Sequence, residues 1–131
     1  MDVPEILQRD ADELARVTGR EVEVVPNGSQ IGVIVKQAHL PAGAYTKSQS
    51  DVLMLTDYQY PMSAMDMFYM ELDVQHAGGS IPAHATSIEP HLGRSWRRWS
   101  WHRNGIWKPG TDGLLSHWAF VEACWAKETP Q

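Results

Sequence analysis

One cysteine in 131 residues, Cys124, leaves no partner for an internal disulfide. The six histidines come without any CxxC pair, so neither a covalent staple nor a structural zinc site is expected, and no metal is assigned. Positive charge is scarce as well. Eleven Lys and Arg stand against sixteen Asp and Glu, a formal net charge of −5. General nucleic-acid binding draws on counterions released by a positive face, so this balance argues against it and leaves only a local basic patch. Long apolar runs are also missing from the opening MDVPEILQRDADELARVTG. That stretch reads as neither secretory signal nor membrane span, giving the expectation of a cytoplasmic protein without membrane contact.

What is present reads as a single domain, 1–131, with its core over about residues 4–127. A second core would be too small to stand alone, since one core at this length buries roughly two thirds of the unfolded surface. Hydrophobic residues at 43% are ordinary for a globular chain, and only Glu128 to Gln131 read as disordered. Leu7, Ala11, Leu14 and Val17 recur at spacings of three and four between a capping Asp2, with Pro4 in the first turn, and Gly19; this predicts an amphipathic helix. EVEVVPNGSQIGVIV alternates, breaks at Pro26-Asn27-Gly28 and resumes, which predicts two antiparallel strands joined by a hairpin turn. Val52 to Leu55 with Tyr58 predict a third strand, and Asp66 to Val74 a fourth. Gln75 to Gly93 holds Gly78-Gly79, Pro82 and Pro90 and reads as a long irregular segment, a length of loop that is often functional. Leu114, Trp118, Val121 and Trp125 share one face of a closing helix, for which Thr111 or Asp112 is the expected N-cap. The class is α+β: an N-terminal helix, a four-stranded antiparallel meander, a long segment and a C-terminal helix, with both helices on one face of the sheet.

That order resembles the ubiquitin-conjugating enzyme superfamily, and is most similar to its divergent bacterial branch. Two short motifs carry the likeness: Tyr60-Pro61 after the third strand, and Trp107-Lys108-Pro109 opening the last helix. The resemblance implies a ubiquitin-like-protein conjugating transferase that needs no cofactor. Its implied partners are a ubiquitin-like protein and a ubiquitin-activating-type adenylating enzyme. The departure is equally specific. The family pattern sets His-Pro-Asn before a catalytic cysteine about eight residues ahead of the Trp-x-Pro tryptophan; counting back eight from Trp107 reaches Trp99, and no His-Pro-Asn occurs.

The segment in that place is SWRRWSWHRNGIW, residues 95–107. Ser100 is one residue from the counted position and His102 two further on. A serine hydroxyl becomes a nucleophile when a base takes its proton, so Ser100 with His102 as its base would carry an acyl group as an oxyester. A surface serine beside a histidine bonded to backbone is the plainer alternative. Asp112 lies where the family's loop approaches the nucleophile and is a candidate to orient an amine or a histidine, beside its role at the cap. Trp99, Trp101, Arg98 and Trp107 are the candidate binding residues. Stacked indoles and guanidinium groups suit protein contacts or packing beneath a loop better than nucleic acid in a chain of this charge. His84, His91 and His102 match no standard metal spacing. Cys124, on the face of the last helix, reads as a core residue or, failing that, a displaced nucleophile. Without the cysteine, a non-catalytic module that binds a ubiquitin-like protein or its activating enzyme is the competing reading.

Overall fold

The computed structural model describes residues 2–128. Helix α1 (Glu5–Thr18) leads into strands β1 (Val22–Asn27), β2 (Gln30–His39), β3 (Gln49–Asp57) and β4 (Phe68–Met70), then β5 (Ser87–His91), β6 (Arg94–Trp99) and helix α2 (Leu114–Lys127). The strands form one antiparallel sheet in the order β1-β2-β3-β4-β6-β5. The α+β class, the meander and the helix at each end agree with the sequence reading.

Period-two alternation gives the sheet two apolar faces. On one, Val33, Val35, Val52, Met54, Phe68, Met70 and Trp99 pack with Leu7, Ala11 and Leu14 of α1 and with Leu114, Trp118, Val121, Cys124 and Trp125 of α2. The other face holds a smaller cluster of Ile34, Leu53, Tyr69 and Trp96, with Val25, Leu55 and Leu92 against it. Both helices thus lie on the larger core.

Three local expectations change. Pro4 rather than Asp2 is the residue before α1, and no side chain caps that helix, while Gly19 closes it at φ 68° as expected. Val17 is exposed because it lies beyond the last turn that reaches the core. The fourth strand is only three residues long, bounded by Met67 at φ 52° and by the turn in which Val74 N–H donates to Glu71 C=O.

The larger change lies in the irregular segment. Its end folds as β5, paired with β6 in the register His91↔Arg94, so two residues make the turn. Leu92 (φ 54°) and Gly93 (φ 75°) are both left-handed, the type I′ geometry that matches strand twist. The signal was weak because leucine stands where Asn or Asp usually marks that turn, and Pro90 argued against a strand; Pro90 is tolerated because β5 is the sheet's edge. Glu128, expected with the disordered tail, is buried and its carboxylate accepts the His84 backbone N–H at 3.2 Å. Residues 129–131 of that tail lie outside the described residues.

Candidate functional site

The two short motifs meet in space. After β3, Asp57 Oδ1 accepts the Gln59 N–H at 2.8 Å and the Ser63 hydroxyl at 2.7 Å, folding the chain back around the cis Tyr60–Pro61 bond. Trp107 Nε1–H donates to Pro61 C=O at 2.8 Å, which fastens the loop before α2 to the loop after β3. The Tyr60 hydroxyl accepts the Leu114 N–H at 2.7 Å and donates to Asp10 Oδ2 at 2.6 Å. One phenol thereby satisfies an orphan donor at the start of α2 and joins it to α1.

Asp112 organises the same loop without being the N-cap, which is Gly113. Its carboxylate accepts the Lys108 N–H and an Arg103 Nη2–H, both at 2.9 Å, and lies 3.1 Å from the Ser116 hydroxyl. The Lys108 N–H above all, with the Ser116 and Arg103 bonds, holds the carboxyl below its ordinary range. The cap is displaced because the side chain is already committed to the turn it closes. Between the two loops lies a cleft of about 510 Å³ bordered by Met65, Asp66, Arg103, Ile106, Trp107 and Asp112.

Arg103 is the pivot of that cleft. It lies over the Trp107 ring at 4.9 Å and bonds Asp112, and its Nη1–H donates to His117 Nδ1 at 3.3 Å. His117 is fully buried in α2 and donates from Nε2 to Met67 C=O at 2.8 Å. Burial pushes the imidazole down to about 4, with the Arg103 charge adding to the effect and the Met67 bond opposing it. A neutral histidine is therefore the acceptor that lets a half-buried arginine stay paired.

The aromatic segment divides by depth. Trp96 and Trp99 are both fully buried, on opposite faces of the sheet. Trp99 stacks on Phe68 at 5.6 Å and meets Tyr45 edge-on. Its indole is enclosed in the larger core. Arg97 is buried too, and donates to Leu72 C=O at 3.0 Å and Ala85 C=O at 2.7 Å. Trp101, half-buried, stacks on His84 at 4.1 Å. Trp107 and Arg98 are also half-buried, so Trp101, Arg98 and Trp107 retain some exposed surface.

Ser100 follows the last residue of β6. Its N–H donates to His84 C=O at 2.8 Å and its Oγ accepts Arg98 Nε–H at 3.0 Å. Two residues on, His102 is exposed at 68% of its side chain, and its Nδ1 lies 2.6 Å from Asp66 Oδ2. Among the described residues no hydrogen bond joins Ser100 to His102. His84 and His91 face different carboxylates, Glu128 and Glu89. Cys124 lies in the core, where burial pushes its thiol up to about 12 and leaves almost no thiolate at neutral pH.

Asp66 was absent from the sequence reading as a site residue. It stands 36 positions before His102, in a stretch taken for a strand, and no local spacing ties the two. Its Oδ1 also accepts the Arg103 N–H at 3.1 Å. Burial alone would raise this carboxyl, but the His102 bond and the Arg103 backbone bond outweigh it and hold it below the ordinary range.

No curated protein and no solved structure matches the chain. The family model described as prokaryotic E2 family E matches residues 6–128. This span takes in both helices, all six strands and the cleft loops. Such a family implies a conjugation-pathway protein that meets a ubiquitin-like protein and an activating enzyme. The chain belongs to the prokaryotic E2 family E, a bacterial branch related to the ubiquitin-conjugating enzymes.

Proposed function

We propose that the protein works in the cytoplasm in a ubiquitin-like conjugation pathway, receiving the C-terminus of a ubiquitin-like protein from an adenylating enzyme. Ser100 is the acceptor, His102 its base, and the intermediate an oxyester. The observation that carries this reading is the Trp107–Pro61 hydrogen bond. It draws the two family motifs around one cleft, and His102 bonds Asp66 at the border of that cleft, in the part of the chain where relatives of this fold keep their cysteine. Two features support the chemistry. His102 is exposed and bonded to a carboxylate, and the Arg98 N–H directed at Ser100 Oγ favours negative charge developing on that oxygen. Arg98, Trp101 and Trp107 supply contact surface, Trp99 fills the core against which Trp101 and Trp107 pack, and Asp112 holds the loop.

Incubation with the cognate activating enzyme, ATP and the ubiquitin-like protein should give a hydroxylamine-sensitive adduct that Ser100→Ala abolishes. No adduct from the native protein would contradict the catalytic reading. A second reading, a non-catalytic binding module, is favoured by the lack of a Ser100–His102 hydrogen bond among the described residues. It requires binding of the ubiquitin-like protein to survive both Ser100→Ala and His102→Ala with no covalent species by mass spectrometry.

A further inference from the structure

We propose that Asp66 is the positioning residue of the site, fixing His102 so that its Nε2 is the bare, solvent-facing base for acyl transfer. The inference rests on the conjugation reading for its chemistry and on geometry alone for the orientation.

Asp66 grips two consecutive residues. One carboxylate oxygen lies 2.6 Å from His102 Nδ1 and the other accepts the Arg103 N–H at 3.1 Å. A carboxylate only accepts, so the Nδ1 contact requires the proton on Nδ1, and a neutral His102 then carries its lone pair on Nε2. The second arm matters as much. Arg103 is itself held by Asp112, by His117 and by the Trp107 face, so the backbone at 102–103 is tied to the helix start and to the loop before β4 together. His102 cannot turn its ring over without losing the Asp66 bond. The charged groups around it are Asp66 from the loop before β4, Arg103 on its own loop and Asp112 at the start of α2, with neutral His117 behind Arg103. Lys108 and Asp66 border the same cleft. Asp66 is thus the anion in direct contact with the imidazole.

In the transfer step, Ser100 Oγ forms a bond to the acyl carbonyl carbon of the ubiquitin-like protein, which arrives as a thioester on its activating enzyme. The carbon–sulfur bond breaks and the thiolate leaves. The hydroxyl proton passes to His102 Nε2 and from there to the departing sulfur, so nothing is oxidised or reduced. Asp66 touches no reacting atom; it selects the tautomer and faces the imidazolium that forms.

The test has two readouts on the full chain. Nitrogen-15 NMR of the free protein at pH 8 should show His102 protonated at Nδ1, and Asp66→Ala should shift the population towards Nε2 protonation. Single-turnover adduct formation should slow at least about tenfold in Asp66→Ala and as much in His102→Gln, with Asp66→Glu recovering part of the rate. A circular-dichroism melt of each variant separates loss of fold from loss of positioning. Native His102 protonated at Nε2, or an Asp66→Ala protein of unchanged tautomer and rate, would overturn the proposal. A native protein that shows the expected tautomer but forms no adduct would overturn the conjugation reading and leave the orientation of His102 by Asp66 standing.

Discussion

His102 takes its chemistry from a neighbouring carboxylate and Cys124 from its burial. Cys124 and His102 are both potential nucleophiles by type, yet one is sealed in the larger core and the other faces solvent with a carboxylate behind it. Native protein at pH 8 should therefore not react with a chromogenic thiol reagent, while urea-unfolded protein should react with one equivalent; prompt reaction of the native thiol would mean that Cys124 is reachable. Tyr60 makes a comparable claim about stability. Tyr60→Phe leaves the buried Leu114 N–H and the Asp10 carboxylate without their shared hydroxyl, a loss expected at about 1–3 kcal/mol in urea unfolding. At this scale the sequence exposed residue types and little else. Ser100 and His102 could be singled out by their position in the chain, but Asp66, Arg103 and His117 meet only through tertiary contacts that no spacing encodes.

The elements most legible in advance were those with clean periodicity: α1, α2 and the β1–β2 hairpin, where apolar residues repeat at 3.6 or alternate at two. The β5–β6 hairpin was hidden because its turn is Leu-Gly and its strand contains proline. Its packing explains the choice of residues. Leu92 at the turn reaches across to Gly32 on β2, where an added Cβ would sit 2.7 Å from Leu92 Cδ1 and 3.1 Å from Leu53 Cδ1. Gly32→Ala should cost no more than about 1 kcal/mol, because only the tips of the Leu92 and Leu53 side chains must give, and Leu92→Ala in the same chain should recover part of that loss rather than add to it. Strict additivity of the two substitutions in denaturant unfolding would show that they do not touch. The hairpin also explains the first half of the dense Trp and Arg segment, which is a sheet strand with one indole in each apolar layer.

At the scale of the molecule, helices on one face and motif loops at one end leave the cleft held by a buried neutral histidine, and that has a consequence for pH. His117 titrates near 6.5 when unfolded and near 4 when folded, so between these values the unfolded chain binds more protons and folding stability falls as pH falls. The contribution is fully present above about pH 6.5 and amounts to about 3 kcal/mol lost by pH 4. His117→Gln can still accept from Arg103 or donate to Met67 C=O and should flatten the stability profile in that window; an unchanged slope would place its origin elsewhere. The family's fold was legible from element order and two short motifs, whereas the chemistry has no motif, because the family's cysteine is missing from its place. The most direct test of that chemistry is peptide-level mass spectrometry of the native protein after reaction with its activating enzyme, ATP and ubiquitin-like protein. An acyl modification on Ser100, removed by hydroxylamine, is the expected result; modification at any other residue, or none, would overturn the oxyester chemistry.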